Sequence, residues 1–383
     1  MILGTTPAER ADTDMLVSTV ESAVRRHDPV EGRSARIDRD GPFDRDLWSL
    51  LAGEVGIGAL PVPEDRGGLG ASFRDVSAVL TALGGELSRV PYLSAVVSAV
   101  ALTDAPASPA VDNCLARIAS GDLIAATVLP DAAGRTGFRV VESTTGTTIT
   151  GSASFVVDAD IAEVVLVIAD SEDGSGLYAV AAESLSRTRM AATDGTRVLS
   201  TVTASGAPAA LLDPRPSVQR LRDQALVALA CDNLGVARRA LDDAVAYAGS
   251  RVQFGRVIGG FQAIKHRLAE GAVAVELAVS AVAHAVWAVQ EGTDHELAEA
   301  ALIAAIACGD AASRTTADNV QVHGGIGFTW EHTAHLYYRR ALTNAVLWGS
   351  GDEHAQRLYA LATGADHRPH AAAEPVPASS FPS

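Results

Sequence analysis

The sequence predicts an α+β chain ordered as helices, then strands, then helices, and three observations carry this. Apolar residues fall at helical spacing before about residue 104 and again after 217. Between them lie short β-branched runs separated by Gly, Asp and Ser. The composition, 48 % hydrophobic but only 5 % aromatic and rich in alanine and leucine, favours packed helices around a small sheet.

The first domain is read as residues 1–122. Leu47, Leu50 and Leu51 share a helical face in 44–51, and Phe43 and Asp44 mark its start. The segment 60–70 (LPVPEDRGGLG) is too rich in proline and glycine to be helix. Apolar helices are expected at 73–87 and 92–102. The middle domain, 123–215, carries strands expected at 123–129, 138–142, 147–150, 164–169 and 177–181, the pattern of a small antiparallel β domain. After Pro214 and Pro216 a helical domain, 216–365, contains long segments at 217–253, 261–290 and 297–323 and a shorter one at 335–348. The last residues, 366–383, are rich in Ala, Pro, Ser and His without period, and a disordered tail is expected there.

Charge and cysteine usage exclude several classes. The 383 residues carry a formal charge of −16, with Lys265 the one lysine. Nucleic acid and anionic membranes require a clustered basic face, so neither is an expected partner. Cys114, Cys231 and Cys308 are widely separated, which gives no disulfide framework and no zinc site. The polar N-terminus does not read as a signal peptide, and the alanine-rich helices are interrupted by charges before a membrane span is complete. A cytoplasmic globular protein is the expectation.

Neither a GxGxxG turn between strand and helix nor a GxxxxGK[ST] loop is present, so a Rossmann site and a P-loop have no support. Two glycine-bearing breaks between long helices stand out: Arg251–Gln262 (RVQFGRVIGGFQ) and Gln321–Gly327 (QVHGGIG). In the first, an arginine, two glycines and a helix start suit a phosphate group. In the second, backbone N–H groups can approach a ligand closely. Either alone also reads as ordinary glycine capping of a helix end.

Together, in this order of elements, the segments resemble the acyl-CoA dehydrogenase family over nearly the whole chain. Leu60–Gly70 looks like its "lPxPExxGGxG" turn and Gly151–Asp158 like its "GxKxWITN" strand. Arg251–Gln262 matches "RxxFGxxxxxFQ" and Gln321–Gly327 matches "QxxGGxG" at every fixed position. The resemblance implies an N-terminal helical domain, a middle antiparallel β domain and a C-terminal four-helix bundle. It further implies an FAD enzyme that removes hydrogens from Cα and Cβ of an acyl-CoA, a carboxylate taking the proton and flavin N5 the hydride. Arg251, Phe254 and Gln262 would contact FAD bound to a neighbouring subunit. Gln321, Gly324 and Gly325 would lie near its diphosphate and adenine, and Phe155 and Ser350 near the cofactor. An acyl thioester, a homo- or hetero-oligomer and an electron carrier such as an electron-transfer flavoprotein are the implied partners.

The departures are as informative. Leu129 replaces the threonine of "TEPxAGSD", and Val157 that of "WIT". At the glutamate of "YEGT" stands Trp348, and at the alternative base position on the preceding helix stands Ala225; neither abstracts a proton. Asp232, seven residues on and on the same helical face, interrupts an apolar run. It reads either as a desolvated general base with a raised pKa or as an arginine-paired structural carboxylate. Glu353, beside the lost glutamate, is a further candidate base. Glu331, His332 and His335 have metal-like spacing but read as polar groups at a helix start, and no metal is expected. Arg339 and Arg340 read as surface residues paired with acids. Three functions remain open: an FAD-dependent acyl-CoA dehydrogenase, a non-catalytic or half-site partner subunit of a heteromeric one, and a flavoprotein of this fold with other chemistry on an acyl thioester.

Overall fold

A computed structural model describes residues 7–364 except 132, 133 and 145. The expected tail at 366–383 lies outside the described residues. Six helices come first: α1 (Pro7–His27), α2 (Arg33–Asp40), α3 (Arg45–Ser49), α4 (Phe73–Gly85), α5 (Tyr92–Thr103) and α6 (Pro109–Ala119). Asp44 caps α3 by accepting from Leu47 N at 3.0 Å, and Leu47, Trp48 and Leu51 are buried beneath it. The Pro/Gly segment 60–70 folds as turns and one short 3₁₀ turn, as its composition requires.

Eight strands follow: β1 (Ala125–Val128), β2 (Phe138–Ser143), β3 (Gly146–Val157), β4 (Val164–Ser171), β5 (Gly174–Ala181), β6 (Ser186–Arg189), β7 (Leu199–Pro208) and β8 (Ala210–Asp213). They form one sheet in the order β6-β7-β3-β2-β4-β5-β8, with β1 on β4. The expected antiparallel arrangement holds for most pairs, but β1 runs parallel to β4 and β2 meets β4 in a parallel bridge. The chain enters from α6 and must cross over to β4 by way of the β2–β3 hairpin, which sets that direction.

The last five helices are α7 (Val218–Ser250), α8 (Gln262–Glu291), α9 (Asp294–His323), α10 (Ala334–Asn344) and α11 (Gly351–Thr363). A two-stranded hairpin, β9 (Val252–Gln253) and β10 (Arg256–Val257), links α7 to α8. α8 has the length and apolar composition of a membrane span, but it is a bundle helix, with Gly271, Val275, Ala278, Val282 and Ala285 buried. α4 crosses α7 at very short range, because Gly84, Gly85 and Gly235 bring backbone onto backbone. That crossing joins the first domain to the bundle and positions the residues described next.

Candidate functional site

Where the three parts of the chain meet, a cavity of about 20 Å³ is lined by α4, the segment 88–93, Asp158 at the end of β3, Thr196, Arg197, Asp232 of α7 and Arg340 of α10. Ligand pockets commonly run to roughly 300–1,000 Å³, so this junction has no room for a ring system or an acyl chain. Charge fills it. Asp232 Oδ1 lies 3.0 Å from Arg197 Nη2 and 3.2 Å from Arg340 Nη1, and Oδ2 accepts from Asn344 Nδ2 at 2.8 Å. Arg340 Nε reaches Asp194 at 2.6 Å, and Arg197 Nη1 donates to Asn344 Oδ1 at 3.0 Å. Asp194, Arg197, Asp232 and Arg340 are all buried.

This geometry decides between the two readings of Asp232. Burial alone pushes its pKa up, but Arg197, Arg340 and the Asn344 hydrogen bond outweigh that and hold it below the usual carboxylate value. The expected raised pKa is therefore corrected: Asp232 is an ionised, saturated partner of two guanidiniums. Arg340 is likewise not a surface residue, at 1 % exposure. Nearby Asp158 behaves oppositely. Burial raises it to about 6, against Ser94 Oγ, which donates to it at 2.6 Å, and the more distant arginines.

The other base candidates are also occupied or exposed. Ser350 and Glu353 form the capping box of α11: Glu353 Oε2 accepts from Ser350 N at 2.8 Å, and Ser350 Oγ accepts from Glu353 N at 3.3 Å. These hydrogen bonds to the Ser350 backbone and hydroxyl hold Glu353 below its usual value. The Ser350 hydroxyl is thus engaged in capping α11. Trp348 is half-buried with a positive φ of 64°, and Ala225 is buried.

The motif residues form a second, outward-facing group. Arg251, Phe254, Gln262, Gln321, Gly324 and Gly325 are all exposed, and nothing lies within 4 Å of a Cβ built on either glycine. Phe254 and Gly255 sit at φ 51° and 77° at the tip of the β9–β10 hairpin. Both central residues left-handed is the arrangement that suits a two-residue hairpin, with Phe254 bearing strain a glycine would avoid. Its ring is 92 % exposed, meeting Phe261 edge-on at a centroid distance of 6.2 Å. Phe328 and Trp330, beyond the QVHGGIG turn, are bare as well. Phe155 stands in the β domain, on a β3 irregularity, at φ 60° and half exposed.

A helical domain, a β domain and a helical bundle, with a glycine-bearing arginine hairpin between two long bundle helices, define the acyl-CoA dehydrogenase class of fold. Family models for the acyl-CoA dehydrogenase N-terminal and C-terminal domains match residues 10–122 and 222–360. The acyl-CoA dehydrogenase IpdE2 of Mycobacterium tuberculosis is 34 % identical over 369 residues, covering 92 % of this chain and 97 % of that protein. The ChsE4-ChsE5 complex from Mycobacterium tuberculosis superposes with a TM-score of 0.83 at 29 % identity, covering 94 % of this chain and 99 % of the matched one. A Tcur3481-Tcur3483 steroid ACAD variant gives a TM-score of 0.86 at 26 % identity, covering 93 % and 99 %. The chain belongs to the acyl-CoA dehydrogenase family, oxidoreductases that act on acyl-CoA thioesters.

Proposed function

We propose that this chain is the half-site subunit of a heteromeric, FAD-dependent acyl-CoA dehydrogenase. In this reading a homologous partner holds the flavin ring, the acyl-CoA and the catalytic carboxylate. This chain adds Arg251, Phe254 and Gln262, with Gln321, Gly324 and Gly325, to the diphosphate and adenine side of the partner's cofactor. FAD, when bound, supplies the acceptor for the β-hydride.

One observation carries the reading: the only carboxylate on the α7 face offered as a base position, Asp232, is taken up by the buried Asp232–Arg197–Arg340–Asp194 cluster, and Trp348 and Ala225 stand where a base would be expected. The outward residues suit the far end of a cofactor held by a neighbouring subunit. A guanidinium and open glycine backbone are suitable donors for a diphosphate. Two similar solved structures carry paired names, ChsE4-ChsE5 and Tcur3481-Tcur3483, which agrees with a two-chain enzyme.

The test is the visible spectrum of the chain purified alone and after co-expression with a homologous partner. The expected result is a colourless protein alone and one FAD per pair of unlike chains, with turnover only in the pair. Stoichiometric flavin and turnover in the chain alone would overturn the proposal and restore the self-sufficient dehydrogenase.

A further inference from the structure

The segment between α9 and α10, residues 324–333, is held against the bundle by rings. Tyr247 of α7, His323 at the end of α9 and His332 just before α10 form a continuous pile, with centroid distances of 4.2 Å from Tyr247 to His323 and 4.2 Å from His323 to His332. His335, in the first turn of α10, meets Trp330 edge-on at 4.9 Å, and the Arg339 guanidinium lies over the same indole at 4.5 Å. His323 Nδ1 donates to Asn319 O at 2.8 Å, one turn back on α9. Three histidines thus tie this segment to the helices on either side of it.

Two of these rings must be neutral for the arrangement to hold. Ala334 N donates to His332 Nδ1 at 3.1 Å, and since a backbone N–H can only donate, that nitrogen must carry its lone pair. The bond serves the start of α10, where Thr333 makes no side-chain cap and the first turn has no acidic residue. A proton on His332 would break the bond and set a cation at the positive end of the helix. His335 is 6 % exposed, and neither ring nitrogen has a hydrogen-bond partner among the described residues. Protonated, it would be a buried charge with no acceptor. The neighbouring charges act in the same sense. Burial and then His323 lower the pKa of His332, and burial, Arg339 and His332 lower that of His335. The nearby acids are engaged or turned to water. Arg239 holds Asp243, which faces His323, at 2.9 Å; Arg267 pairs with Asp318; Asp242 and Glu331 are exposed.

We propose that His332 and His335 form a proton-operated latch on the 324–333 segment, closed while both rings are neutral and released when they take up protons. The closed form binds protons more weakly than the open one, so acid shifts the balance toward opening. The closed form is fully favoured above the ordinary histidine value of about 6.5 and is lost progressively as pH falls below it. Release withdraws Gly324, Gly325, Phe328 and Trp330 from the surface they present, so docking at this face becomes dependent on pH. The latch itself needs neither cofactor nor partner.

Amide hydrogen exchange of the full chain at about pH 7.5 and about pH 5.6, corrected for the intrinsic pH dependence of exchange, tests this. Residues 324–334 should exchange at least about fivefold faster at the lower pH, with the buried helix α5 unchanged. His332→Asn keeps an acceptor near the Nδ1 position and cannot be charged. It should match the native protection at the higher pH and lose about half or more of the acid response. Adding His335→Leu removes the second proton site and should abolish the response. Equal protection of 324–334 at both pH values in the native chain would overturn the proposal. So would a His332→Asn chain that opens in acid as far as the native one, or faster exchange spread equally over α5, which belongs to acid unfolding of the whole chain.

Discussion

Gly235 of α7 lies so close to Thr81 of α4 that a Cβ at 235 would stand 1.9 Å from the Thr81 carbonyl oxygen. The contact is reciprocal one turn away, where a Cβ at Gly84 would meet the Asp232 carbonyl at 2.3 Å. Backbone cannot yield as a flexible side chain does, so Gly235→Ala must push the two helices apart. We expect a loss of about 2–3 kcal/mol by urea unfolding. Native stability in that variant would show that the crossing tolerates separation.

Asp232→Asn deprives two buried guanidiniums of their shared charge. Because the native carboxylate is held below its ordinary value, its contribution is present above the unfolded pKa of about 3.9 and is lost as pH falls through the lower folded value. The variant should therefore lose about 3–5 kcal/mol at pH 7 and show a flatter acid limb. An Asp232→Asn complex that keeps its stability but turns over ~100-fold slower would return this residue to the role of general base.

Asp158 has the opposite sign. Its folded pKa, about 6, lies above the unfolded value, so the folded state favours the protonated form. Stability from this group is full below about pH 4 and is lost as pH rises through 6. Asp158→Asn retains an acceptor for Ser94 and has no charge to desolvate. It should gain about 1–3 kcal/mol at pH 7 and nothing at pH 4, as read from urea midpoints at the two pH values. Equal effects at both would show that Asp158 is ionised without penalty.

Phe254 combines a left-handed backbone with a bare ring. Phe254→Gly relieves the strain, so the isolated chain should be as stable or slightly more so. In the proposed pairing, loss of this exposed aromatic ring should weaken association of the two chains by about tenfold or more, measured by sedimentation. Undiminished association would place the interface elsewhere.

In the proposed two-chain complex, Arg251→Ala should lower the flavin content after dialysis while each chain stays folded, since the side chain is exposed. Unchanged flavin content would remove Arg251 from the cofactor's surroundings.

Much of this was legible in the sequence, and the limits have physical causes. The long helices and the two motif segments announce themselves locally, through period and through residues a few positions apart. Strands β6 and β8 carried no comparable signal, because Ser186–Arg189 is polar and Ala210–Asp213 is short. Asp232 was visible as a polar interruption, but its meaning was not. Arg340 is 108 residues away along the chain, and Arg197 belongs to another part of the fold. Arg340 also stands beside Arg339, and such a pair looks like a solvated helix face. Ser350 and Glu353 did carry a local signal, a Ser followed three residues later by Glu, which is a capping box before it is anything else.

The buried ion cluster also bears on how such a subunit can change over generations. Removing any one of Asp194, Arg197, Asp232 or Arg340 strands its neighbours in a dry interior, at a cost of a few kcal/mol against a total stability of only about 5–15 kcal/mol. Replacing the cluster with apolar side chains would require several substitutions at once, with every single step selected against. A circuit of this kind, once installed, is guarded by its own members, and sequence drift is expected to pass around these four positions rather than through them.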